Sequence, residues 1–183
     1  SLFEKKIKKM INSKIDIIIT SGAVSAGKFD YIPKIVNKFK ISNYFKSVAI
    51  RPGKPILFAK IKGRHKVIFG LPGNPISSAA CFRFFVYPYL EMILETEKEK
   101  PIKAILKNEF IKKTKFTRFV KSNINTTKNG KILIRILKGQ ESYKIKSFVK
   151  SNIWAVFPAG KSIFKKNEIV DCFFPNHPNK ILS

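Results

Sequence analysis

Apolar residues recur at helical spacing over residues 2–12, where Leu2, Phe3, Ile7, Met10 and Ile11 are interleaved with lysines. That spacing predicts an amphipathic helix. The pattern then changes. "KIDIIITSG" (14–22) is a continuous isoleucine run ending in Ser-Gly, which predicts a strand buried on both faces, as in a parallel sheet. "YIPKIVNKFK" (31–40) reads as a helix with Pro33 in its first turn. "KSVAI" (46–50), "PILFAKI" (55–61) and "KVIFG" (66–70) read as strands. "RPGKP" separates the first two, and "KGRH" makes a hairpin turn between the others. Residues 75–94 form the longest predicted helix, kinked at Pro88.

Past the charged stretch "ETEKEKPIK" (95–103) the period falls to two. "RFVKSNINTT" (118–127) and "KILIRIL" (131–137) predict a hairpin turning at Asn129-Gly130. "SFV", "IWAVFP" and "EIVDCFF" supply further short strands. The pattern thus predicts an α/β domain over residues 1–97, followed by a small all-β, barrel-like domain over 98–183.

Composition adds a core and a strong charge. The chain has 183 residues, 44% of them hydrophobic with 17 Phe, enough to bury a sizeable core. The formal net charge is +26, from 37 Lys and Arg against 11 Asp and Glu. Such a chain attracts anions through its long-range field. Arg is confined to Arg51, Arg64, Arg83, Arg118 and Arg135, and Lys is spread evenly. A dedicated nucleic-acid binder clusters its basic residues and favours Arg. A compositional lysine bias is therefore expected, and nucleic acid is not expected as a partner. Cys81, Cys172, His65 and His177 lack metal-type spacing, so no zinc site is expected. Buried free thiols in a reducing cytoplasm fit better. No apolar run approaches the roughly 18–20 residues of a membrane span. Ser1 stands where an initiator Met would, so a longer parent chain is expected.

Two loops carry the candidate chemistry. "IIITSGAVSAGKFDY" ends one strand with Gly22 and Gly27, and "VIFGLPGNPIS" ends another with Gly70 and Gly73; each leads into a helix. Ligands of open α/β sheets bind beyond the carboxyl ends of strands. Glycine allows close backbone approach, and a helix N-terminus offers free N–H groups to phosphate. Asn74 is the expected N-cap and Pro75 the first helical residue. The N–H groups of Ile76 and Ser77, and the Ser77 hydroxyl, are then expected to face the crevice. A plain tight turn remains the alternative for each loop taken alone. Arg51 and Lys54 flank the Pro-Gly turn and could hold anions at one rim; two exposed hairpin charges are the alternative. Asp30 is a scarce carboxylate after the first glycine loop. It could bind Mg²⁺ beside substrate phosphates or serve as a helix N-cap.

These segments resemble, in order and spacing, the molybdenum-insertion enzymes of molybdenum cofactor biosynthesis, the bacterial MoeA proteins and the E domain of gephyrin. The carriers are "DIIITSGAVSAGKFDY", "IRPGKPILFAK", "VIFGLPGNPISSAACFRFFVYPYL" and, in the β module, "GQESYKIKSFVKSNIWAVFPAGKSIFKKNEIVDCFF". The resemblance implies part of a three-layer molybdopterin-binding domain with a mostly parallel sheet, then a barrel-like C-terminal domain. It implies an enzyme that takes adenylyl-molybdopterin and molybdate, releases AMP and leaves molybdenum on the dithiolene, with Mg²⁺ assisting. It implies a C-terminal portion, inactive alone, of a protein that forms homodimers and meets an adenylyltransferase of the same pathway.

Carried over by position, Asp30 and Arg51 are the catalytic candidates, Asp30 also as a Mg²⁺ ligand. Ser21, Gly22, Ser25 and Gly27 line the pterin-phosphate crevice. Gly70, Pro72, Gly73, Asn74, Pro75 and Ser77 form the second phosphate-side loop. Lys54 shares the Arg51 turn, and Arg118 and Ser142 are the polar residues of the last domain. Four departures stand out: Ala23 replaces a usual Gly, Lys28 replaces a usual Asp or Glu, Ser47 replaces a common lysine, and Thr117-Arg118 stands where the last domain usually has Gly-Arg. They keep a second reading open, in which the same fold serves as a polyanion-binding or scaffolding module.

Overall fold

The helical spacing at the start of the chain is realised as α1 (Leu2–Ile11), which buries Ile7 and Ile11 and turns Lys5, Lys6, Lys8 and Lys9 to water. The computed structural model describes residues 2–22, 41–63 and 65–176, so the helix predicted at 31–40 lies outside the described residues. Two compact units emerge: residues 1–48 with 53–82, and residues 49–52 with 83–183.

In the first unit, β1 (Ile17–Ser21) runs parallel to β5 (Val67–Leu71). β5 pairs antiparallel with β4 (Leu57–Ile61), which pairs antiparallel with β2 (Ile41–Phe45). Helix α1 packs on this sheet through Ile7 and Ile11 against Ile18, Leu57, Ala59 and Ile68. The α/β class and the "KGRH" hairpin are as expected. The described sheet is mixed, since one pairing of three is parallel. β1 is not buried on both faces: Ile18, on the face that α1 covers, is buried, but Ile19, pointing to the opposite face, is 42% exposed.

"KSVAI" does not form the expected strand. Its Val48 N–H turns back to the Lys54 carbonyl at 3.1 Å. The strand lies just upstream as β2, and only Ile50–Arg51 (β3) pairs downstream, in the other unit. Lys66 is buried, and its Nζ donates to the carbonyls of Met10, Ile11 and Ser13 at 3.1, 2.9 and 2.7 Å. These include carbonyls that the end of α1 leaves without helical partners.

The long helical stretch divides into α2 (Pro75–Cys81), a π-helical turn (Phe82–Val86) and α3 (Tyr87–Ile93). Pro88 explains the irregularity. It has no N–H, and its ring would strike the Phe84 carbonyl in regular α geometry; a wider turn accommodates it.

The second unit is built round a closed ring of five strands. β8 (Thr117–Thr126) pairs with β9 (Ile132–Ile136) through the expected Gly130 turn. β9 pairs with β6 (Ile102–Leu106), β6 with β12 (Ile169–Phe173), β12 with β10 (Ile153–Phe157), and β10 closes on β8. β3 adds to β8 in parallel. β7 (Phe110–Ile111) and β11 (Ile163–Phe164) form a small separate ladder. The barrel core holds Ala104, Leu106, Val120, Ile134, Ala155 and Phe157. "SFV" is helical, not extended: it ends α4 (Ile145–Val149), with Phe148 tilted against Trp154 at 5.5 Å. Three residues are too few to separate a period of two from 3.6.

Both thiols, Cys81 and Cys172, are free and buried as expected. Burial pushes each thiol up to about 12.

Candidate functional site

The two glycine loops of the first unit meet. Gly22, at φ +83°, follows β1 and donates its N–H to the Leu71 carbonyl at 3.0 Å. A Cβ placed on Gly73 would lie 3.2 Å from the Gly22 Cα. Two strand ends therefore approach backbone to backbone: Gly73 has little room for a side chain, and Gly22 is held at a positive φ that side chains disfavour. Hydroxyls fasten the junction. Ser78 Oγ donates to the Pro72 carbonyl at 2.6 Å, and Ser21 Oγ lies 3.3 Å from that carbonyl and 3.2 Å from Ser78 Oγ. Ser78 was absent from the sequence reading. The signal was there in "NPISS", where the second serine faces back one turn.

Asn74 caps α2 as expected, and Pro75 takes the first helical position. Ser77 needs correction. Its N–H donates to Asn74 Oδ1 at 3.2 Å, its hydroxyl lies 3.5 Å from the same oxygen, and the residue is buried. The cap has consumed the donor that was expected to face a crevice. Gly70 sits inside the sheet, paired across from Thr20 and Leu57. Ser25, Gly27 and Asp30, with the departures Ala23 and Lys28, lie outside the described residues.

The "RPGKP" turn is shared out. Lys54 is exposed, and its carbonyl accepts from Val48 and Ile56 N–H groups in the first unit. Arg51 belongs to the second. It is exposed on β3 directly across from half-buried Arg118 on β8. Burial, then the neighbouring Arg51 charge, holds the Arg118 guanidinium below its usual range, while Glu141 pulls the other way. Two guanidiniums on adjacent strands, outnumbering the nearby carboxylate, form a rim suited to a divalent oxyanion.

The loop carrying Glu141 and half-buried Ser142 is anchored to the same strand. Lys121 is buried, and its Nζ donates to the carbonyls of Gly139, Glu141 and Lys144 at 2.8, 3.0 and 3.3 Å. Gln140 adds a reciprocal pair with the Lys121 backbone, accepting at 3.0 Å and donating at 2.7 Å. Burial lowers the Lys121 ammonium below the usual lysine range. Among the described residues, no group of three or more His, Cys, Asp or Glu could hold a metal ion.

Residues 2–92 match the model of a probable molybdopterin binding domain, and residues 103–173 that of the MoeA C-terminal region, domain IV. The chain is 33% identical over 169 residues to a molybdopterin molybdenumtransferase of Staphylococcus aureus, covering 91% of this chain and 39% of that protein. It is 34% identical over 147 residues to the Synechococcus elongatus protein of the same name, covering 80% and 35%. A molybdopterin biosynthesis moeA protein from Pyrococcus horikoshii superposes with a TM-score of 0.68 at 24% identity, over 94% of this chain and 39% of that one. A molybdenum cofactor biosynthesis protein from Pyrococcus furiosus gives 0.67 at 20%, over 93% and 53%. The chain thus spans well under half the length of the curated relatives it matches.

Proposed function

This chain belongs to the MoeA-type family, and from that premise we propose that it supplies part of a molybdopterin molybdenumtransferase acting in molybdenum cofactor biosynthesis. In this reading the parent protein takes adenylyl-molybdopterin and molybdate, cleaves the adenylate, releases AMP and leaves molybdenum on the dithiolene. The observation that carries it is the backbone contact of Gly22 with Gly73, inside the segment that matches the molybdopterin-binding domain. A cleft edge built from bare backbone lets a phosphate-bearing ligand come close.

The roles follow from chemistry. Ser21, Gly22, Pro72, Gly73, Asn74 and Pro75 form one wall, with Ser25 and Gly27 in the same loop sequence. Ser77 acts through the cap and keeps that wall in place. Gly70 holds the strand end flat beneath it. In the second unit, Arg51 and Arg118, with Ser142 on the loop anchored by Lys121, receive oxyanion charge; in the first unit, Lys54 is an exposed cation. Asp30 is the candidate acid-base or Mg²⁺-binding carboxylate. The chain's own cations, Arg51, Arg118 and Lys54, contribute to charge neutralisation in this proposal. Homodimer formation, contact with an adenylyltransferase of the same pathway and a cytoplasmic location belong to the same proposal. Among the described residues, no helix is long and apolar enough to cross a membrane.

The test grafts this chain in place of the matching segment of the Staphylococcus aureus relative. The folded chimera, given adenylyl-molybdopterin and molybdate, is expected to release AMP, and the Asp30→Asn chimera to release far less. A folded chimera that binds the pterin but releases no AMP overturns the enzymatic reading.

A further inference from the structure

A pocket of about 380 Å³ opens in the second unit beside α4. Its floor includes Leu137, and Lys138, Lys144, Lys146 and Lys150 surround it. None of the residues proposed above for the molybdopterin reaction lines it, and no carboxylate does. Lys146 and Lys150 stand four residues apart, on one face of α4 and its C-cap, while Lys138 and Lys144 come from the preceding loop. The size falls within the range of small-molecule sites.

Exposed lysines alone are unremarkable in a chain carrying +26. The wall behind them is more telling. A loop that turns its carbonyls toward a cavity normally repels anions. Here those oxygens are engaged from inside. The Gly139 carbonyl accepts from Lys121 Nζ at 2.8 Å and from Ser147 Oγ at 2.6 Å. The Lys144 carbonyl lies 3.3 Å from Lys121 Nζ and 2.7 Å from Ser147 Oγ. The buried Lys121 ammonium thus adds a fifth positive charge behind the pocket. Glu141, the nearby acid, spends its field on Arg118 and Lys121 and does not line the cavity.

We propose that this pocket is a second anion site, separate from the Arg51–Arg118 rim, that binds a small phosphate ester. The four ammonium groups hold the phosphates, and Leu137 with the lysine stems packs against the ester's less polar body.

Calorimetric titration with pyrophosphate and with ADP tests this, using the whole chain carrying Arg118→Gln so that the rim is already weakened. Both probes are expected to bind, ADP more tightly. Replacing Lys138, Lys144, Lys146 and Lys150 with Gln should weaken both by about tenfold or more. Replacing Lys113, Lys128, Lys131 and Lys166, which do not line the pocket, removes the same charge and should weaken them by less than about threefold. Equal losses in the two quadruple variants would reduce the effect to net charge and overturn the site. Pyrophosphate binding as tightly as ADP overturns the ester in favour of a bare phosphate anion. Circular dichroism of each variant separates lost binding from lost fold.

Discussion

The glycine junction and the arginine rim reach the same end by opposite means. At Gly22 and Gly73 the proposed wall is backbone: a Cβ on Gly73 would come within 3.2 Å of the Gly22 Cα, and Gly22 sits at φ +83°. At Arg51 and Arg118 the backbone is an ordinary parallel pairing, and side chains supply everything. A site made of backbone is intolerant of additions and indifferent to charge. A site made of side chains tolerates volume changes and depends on charge. The two should fail differently.

The sharpest test is Gly22→Val. A β-branched residue at φ +83° costs roughly 2–3 kcal/mol of stability. Denaturant unfolding should register that loss together with lost pterin binding. A fully stable Gly22→Val would mean that the junction is not fixed by its backbone. Next comes the barrel's internal clamp. Lys121→Met removes the donor that three carbonyls share, leaving each with one other partner, and should cost about 2 kcal/mol, read as a lower urea midpoint.

Third, Arg118→Gln should weaken molybdate binding about tenfold while stability moves by less than about 0.5 kcal/mol. Arg118→Lys should recover only part, since an ammonium lacks the planar fork. A destabilised Arg118→Gln would blur the contrast between the two regions. Fourth, Asn74→Ala removes the α2 cap and should cost about 1 kcal/mol, measurable by thermal unfolding.

The smallest effect appears only in alkali and is shared by both units. Cys81 and Cys172 are raised from 9.0 to about 12 by burial. The unfolded chain therefore loses these protons first. Their contribution to stability is complete below pH 9.0 and declines as pH rises toward about 12. Replacing both with Ala should flatten the alkaline limb of a pH–stability curve and leave its neutral part level.

What could be read in advance depended on how local the physics was. "GLPGNPIS" was legible because Asn74 and Pro75 announce a helix start within a few residues. Asn129-Gly130 was legible for the same reason. The internal lysines were not. In a chain with so many, nothing along the sequence separates Lys66, Lys112 and Lys121 from their exposed neighbours. Their burial depends on carbonyls that the fold gathers from elsewhere, such as Phe116 and Pro158 for Lys112. Ser77 was misjudged because two demands competed for one N–H, and the cap took it. "KSVAI" failed because Lys54 offered Val48 a nearer carbonyl than any strand did.

One feature reaches into heredity. Residues 49–52 lie far upstream of the other barrel residues, yet they belong to that unit, and β3 lies beside β8. The chain is thus laced: it leaves the first unit, lends Arg51 to the barrel's edge, returns, and leaves again after residue 82. A gene break between the "RPGKP" codons and those of β6 would hand the barrel to its descendants without Arg51, one of the two arginines of its rim. For this chain the smallest heritable piece that keeps both arginines runs from β3 through the barrel.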